Sequence, residues 1–103
     1  MSASETKTII IDVKELSFKS DKHVEDLIQF LSEHLPHIEL TRNGNEIEVE
    51  MPETLSKRAL RLRIRKFLYK NQLKKDFRPI NITKSDKSGY IIKERRQIEL
   101  PYY

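Results

Sequence analysis

The chain has 103 residues, 35% of them charged and 37% hydrophobic, with no cysteine, no tryptophan and a formal net charge of +4. That length predicts one domain with a modest core, folding burying roughly 65% of the unfolded chain's surface. Without cysteine there are no disulfides, no thiolate nucleophile and no Cys-ligated zinc, and a cytoplasmic setting follows as the default. No apolar stretch reaches the length of a membrane span, and the N-terminal apolar run is too short for a signal peptide.

Residues 1–6 read as a frayed tail, leaving 7–103 as the single domain. Residues 7–13 are β-branched and apolar (Ile9, Ile10, Ile11, Val13), which suits a strand with a buried middle. Residues 17–22 read as a polar connection. Ser20 or Asp21 then caps a helix over 22–35, whose Val24, Leu27, Ile28, Leu31 and Leu35 share one face. Pro36 ends it. Residues 38–41 and 46–51 flank Asn43-Gly44, a dipeptide suited to a tight hairpin turn. In the second of these strands Ile47, Val49 and Met51 alternate with Glu46, Glu48 and Glu50, so one face is apolar and the other acidic. Three carboxylates without a nearby histidine make a poor metal set, and a solvated sheet face is the simpler reading.

Pro52 breaks that strand, and Ser56 reads as the cap of a second helix over about residues 57–73. Leu60, Leu62 and Ile64 alternate with Arg61, Arg63 and Arg65, which is strand periodicity. The run is nevertheless too long for an ordinary strand, and Ala, Leu, Arg and Lys favour helix. In helical projection Leu60, Ile64, Phe67 and Leu68 form the core stripe. Arg58, Arg61, Arg65, Lys66 and Lys70 spread over the opposite side, with Leu62 and Tyr69 among them. Residues 77–83 and 90–98 form a last hairpin across 85–89, and Pro79 disfavours a central place for the first of these strands. The order is β-α-β-β-α-β-β. It predicts an α+β, two-layer fold with two helices on one face of a mostly antiparallel sheet.

Charge is distributed unevenly. Residues 55–78 hold ten of the 20 lysines and arginines, opposed only by Asp76, while the rest of the chain is net acidic. A surface built merely for solubility mixes signs. Polyanions are the natural partners of such a segment, because each neutralised phosphate releases counterions.

The stretch MPETLSKRALRLRIRKFLYKNQLKKDFRPI resembles the signature of the eukaryote-type large-subunit ribosomal protein number twenty-two, a family distinct from the bacterial protein of the same number. Ser56-Lys57-Arg58, Leu60, Arg65-Lys66-Phe67-Leu68, Lys70-Asn71 and Leu73 match it in register. Residues 9–13 and 25–31 resemble the family's first strand and first helix more loosely. The resemblance implies an α+β domain bound to large-subunit ribosomal RNA. It also implies that Lys57, Arg58, Arg61, Arg65, Lys66, Lys70 and Lys74 carry much of the contact. Tyr69 stands where family members often have a second lysine.

The residues themselves point to the same chemistry. Duplex RNA hides its base edges in a deep major groove, so recognition falls on phosphates, 2′-hydroxyls and shape. Arginine's planar fork suits phosphate, and Arg58, Arg61 and Arg65 are expected to clamp it. Lys66, Lys70, Lys74 and Lys75 add charge, and Arg78 extends the patch into the following strand. Tyr69 either stacks on an unpaired base or caps the hydrophobic edge. Lys84, Lys87, Lys93, Arg95 and Arg96 form a second basic group, which either extends the RNA surface or pairs with the acidic strand.

His34 and His37 have a ligand-like gap, but Pro36 intervenes and no third ligand is evident, so no metal is expected. No nucleophile–base set, phosphate loop or paired-carboxylate motif appears. The chain therefore reads as a non-enzyme without cofactor or small-molecule substrate. The leading function is a structural protein of the large ribosomal subunit, contacting ribosomal RNA and possible neighbouring ribosomal proteins. The alternatives are a free-standing RNA- or DNA-binding module and an adaptor for an acidic protein.

Overall fold

The computed structural model describes residues 5–35, 37–84 and 87–94. It is an α+β fold: β1 (Thr6–Asp12), α1 (Lys14–Lys19), α2 (Asp21–His34), β2 (Glu39–Asn43), β3 (Glu46–Pro52), α3 (Lys57–Lys70), β4 (Phe77–Lys84) and β5 (Lys87–Glu94). The strands form one sheet in the order β2-β3-β1-β5-β4. Every neighbouring pair is antiparallel except β1 with β5. The antiparallel unit β2-β3-β1 is thus joined to the β4–β5 hairpin along a parallel seam between β1 and β5.

The alternation of side chains along each strand decides which face is covered. Ile9, Ile11 and Val13 of the first strand and its extension share a core with Ile47, Val49, Met51, Tyr90 and Ile92. The helices cover this face with Val24, Leu27 and Leu31 from α2 and Leu60, Ile64, Phe67 and Leu68 from α3. All four residues of the predicted α3 stripe are buried. On the sheet's other face Glu46, Glu48 and Glu50 stand in register with Asp12, Ile10 and Thr8.

The two glycines meet specific needs. Gly44 takes φ +61° at the β2–β3 turn. The turn pair is Gly44-Asn45 rather than Asn43-Gly44, because Asn43 still pairs with Glu46 in the ladder. Glycine first with positive φ is the arrangement of a type II′ turn. Gly89 lies opposite Ile10 on the parallel seam, where a Cβ would sit 2.0 Å from the Ile10 carbonyl oxygen.

Several boundaries differ from the sequence reading. Thr6 is not tail but the first residue of β1, paired with Pro52, and the Glu5 carbonyl accepts the Glu53 N–H at 2.9 Å. The stretch read as a polar connection from residue 17 contains the end of an unforeseen helix, α1. Six residues are too few to show a 3.6-residue period, and the usual signal at the N-cap is missing because Val13 occupies it. The Asp12 carboxylate accepts the Lys14 N–H at 3.0 Å instead. Helix α2 starts at Asp21, and Ser20 holds the N-cap position without a side-chain cap hydrogen bond. Helix α3 ends at Lys70, three residues before the expected end. The β4–β5 hairpin is tighter than expected, and β4 is an edge strand, as Pro79 requires. Of the last predicted strand, residues 95–98 lie outside the described part, as do Arg95, Arg96 and residues 1–4.

Candidate nucleic-acid interface

Helix α3 is fixed at both ends by its own sequence. The Ser56 hydroxyl accepts the Ala59 N–H at 3.1 Å, satisfying one of the free donors of the first turn. At the other end Gln72 adopts φ +60°. The Leu73 N–H reaches the Leu68 carbonyl at 2.7 Å and the Gln72 N–H reaches Tyr69 at 3.1 Å. These two bonds make a Schellman motif, and the buried Leu73 supplies its hydrophobic contact. The chain then turns through Lys74 and Lys75 into β4, so helix, lysine turn and edge strand are consecutive.

Arg58, Arg61, Arg65, Lys66, Tyr69, Lys70, Lys74, Lys75 and Arg78 are all exposed, on the outer side of α3, the turn after it and the start of β4. No ion pair joins any of these cations to a carboxylate among the described residues; the three pairs found are Lys19–Asp76, Arg42–Asp21 and Lys93–Glu15. Asp76, the one acid within the cationic run, is turned toward α1 and bonded to Lys19 at 3.5 Å. Among the described residues the outer side of the helix thus faces solvent without an opposing carboxylate.

Lys57 is the exception among the expected contacts. It is half-buried, with its ammonium hydrogen-bonded to the Asn81 side-chain carbonyl and 4.7 Å from the centre of the Tyr90 ring. The Tyr90 hydroxyl donates to the Lys57 carbonyl at 3.2 Å. Burial pushes the Lys57 ammonium pKa down and the Tyr90 phenol pKa up, the Arg61 charge opposing the latter. Lys57 thus ties the start of α3 to the β4–β5 hairpin rather than facing outward. Its position foretells this: Lys57 precedes Leu60 and Ile64 by three and seven residues, which puts it on the core stripe.

Tyr69 does not cap the hydrophobic edge. It is 71% exposed, with the Lys74 ammonium 5.5 Å from its ring centre. Leu62 is also exposed, at 48%. On the flank toward α2, Lys70 lies 6.0 Å from the centre of the Phe30 ring, on which His34 stacks at 4.1 Å. His34 Nδ1 donates to the Phe30 carbonyl at 2.9 Å.

Between the outer side of α3 and β4 runs an open groove of about 1140 Å³. It brings together seven of the expected contact residues: Arg61, Arg65, Lys66, Tyr69, Lys70, Lys74 and Arg78. Arg58 and Lys75 lie beyond it. Arg63 and Asn81 also line it, although the sequence reading gave neither a contact. For Arg63 the signal was available, since it precedes Lys70 by two helical turns and shares its side. For Asn81 there was none, because only the fold brings β4 beside α3.

Of the second basic group, Lys93 is the member whose described partner lies off the acidic strand, while Arg95 and Arg96 lie outside the described residues. β1 separates β5 from β3, and Lys93 reaches Glu15 of α1 at 3.7 Å. Lys87 is exposed near the hairpin turn, away from the α3 groove lining. The side chain of Lys84 lies outside the described part. Among the described residues no three His, Asp or Glu side chains are grouped to hold a metal ion. Among the described residues no helix is long and apolar enough to cross a membrane.

No protein-family model matches the chain, and no curated protein matches it at a significant level.

Proposed function

We propose that the chain is a non-enzymatic RNA-binding structural protein of the large ribosomal subunit, working in the cytoplasm, with α3 and the turn after it laid against ribosomal RNA phosphates. The observation that carries this reading is the exposed cationic surface of Arg58, Arg61, Arg65, Lys66, Lys70, Lys74, Lys75 and Arg78, none of them ion-paired to a carboxylate among the described residues. Charges held apart from internal carboxylates are available to phosphate, and arginine forks add bidentate geometry. The resemblance of residues 56–73 to the ribosomal family named above supports the same assignment. The described structure ties Lys57 to Asn81 and Tyr90, so its proposed part is to hold the helix in place rather than to meet phosphate.

Charge reversal of Arg61, Arg65 and Lys70 together tests this reading. All three are exposed and off the buried stripe. RNA binding measured by fluorescence anisotropy should fall by at least a hundredfold, while the far-ultraviolet circular dichroism and melting curve stay those of the parent. Unchanged RNA binding would remove the reading. Co-sedimentation of the parent with large subunits in moderate salt tests the ribosomal part separately; a pool found only in the unbound fraction points to a free-standing nucleic-acid-binding module.

A further inference from the structure

Phosphate binding calls for charge alone, yet the groove between α3 and β4 also has an apolar lining. Leu68, Phe77 and Pro79 form part of it, all buried or half-buried, and Leu62 and Tyr69 stand exposed beside them. The lining includes no carboxylate. Tyr69 has no aromatic ring stacked on it among the described residues, and its known neighbour is a lysine ammonium. A 71% exposed ring gains little from the fold of its own chain.

A paired RNA helix presents phosphates and riboses outward but keeps the flat faces of its bases stacked inside. A surface with both an exposed ring and a ring of cations matches a different element, an unpaired nucleotide, which offers a phosphate and a free base face together. We propose that the α3–β4 groove holds an unpaired nucleotide flanking the bound duplex. Its base stacks on Tyr69, and its phosphate lies between Arg61 and Arg65 on the helix and Arg78 on the strand. This inference rests on the RNA reading above and names the element that the RNA must contain.

Three RNAs test it by anisotropy at one salt concentration: a blunt duplex, the same duplex with a short single-stranded extension, and that duplex with the extension made of abasic residues. The last two carry equal phosphate charge and differ only in bases. The expected result is about tenfold tighter binding with bases than without them. Tyr69→Ala should bring that ratio close to one, and Tyr69→Phe should restore it, because stacking needs the ring and not the hydroxyl. A 2-aminopurine in the extension should lose fluorescence on binding the parent protein, which reports stacking without any variant. Equal binding of the based and abasic extensions, with the blunt duplex still bound, overturns the inference alone. A ratio that survives in Tyr69→Ala overturns the assignment to this groove. Failure to bind any of the three RNAs overturns this inference and the RNA reading together.

Discussion

Single residues hold the two antiparallel units in register. At Gly89 the parallel seam brings backbone against backbone, and a methyl group would overlap the Ile10 carbonyl oxygen at 2.0 Å. No rotamer change relieves a clash with backbone. Gly89→Ala should therefore cost about 3 kcal/mol or more, read from urea unfolding, whereas a surface substitution such as Thr41→Ala should shift stability by no more than about 0.5 kcal/mol. Arg42 and Asp21 join the β2–β3 hairpin to the start of α2. The guanidinium reaches the carboxylate at 2.5 and 3.2 Å, and its Nε donates to the Gly44 carbonyl at 3.0 Å. The hydrogen bonds from Arg42 hold the Asp21 carboxyl below the usual carboxylate range. A carboxyl with a lowered folded pKa stabilises above its unfolded value, about pH 4, and that contribution is lost as pH falls below it. Asp21→Asn should thus lower the melting temperature slightly at pH 6, and the gap from the parent should close by pH 2–3. The effect is small because the carboxylate is exposed.

Among the elements, α3 is the one whose sequence allowed two readings. Its Leu-Arg alternation fits a strand as well as a helix, and the structure resolves this by leaving Leu62 outside the core while Leu60 and Ile64 enter it. A strand would have put all three on one face. The Schellman end explains why the helix stops at Lys70 although Gln72 and Leu73 are good helix-forming residues. Gln72 occupies a left-handed position that favours glycine. Gln72→Gly should stabilise the protein by about 1 kcal/mol in urea unfolding, leaving RNA affinity unchanged. Loss of stability would mean that the Gln72 side chain makes a compensating contact. Helix α1 shows the opposite case. It buries Leu16 but leaves Phe18 73% exposed, so its pattern over six residues has no amphipathic signature to find.

Across the whole molecule the charges are separated. The strand order places β2 and β3, with Glu39, Glu46, Glu48 and Glu50, at one side of the sheet and β4 at the other. Helix α3 contacts β4, so the cations collect far from that acidic face. Such a polarised field orients the molecule as it approaches a polyanion and lets one face bind while the other repels. With about five phosphates neutralised, the log–log dependence of RNA affinity on salt should have a slope near −4. A slope shallower than about −1 would mean that phosphate contacts are not the main source of affinity.

Apart from α1, the element types, the α3 core stripe and the edge position of β4 followed from the sequence, because periodicity, proline and capping residues act over a few neighbouring positions. The concentration of cations in one segment was equally a property of the chain. Which of those cations face solvent was only partly legible: the helical period exposes Arg61 and Arg65, but Lys57 turns inward because Asn81 and Tyr90 wait there on another element. The parallel seam, the groove between α3 and β4 and the separation of acidic and basic faces depend on strand order. Strand order joins residues tens of positions apart, and no local pattern records such distances; the tertiary structure alone decides them.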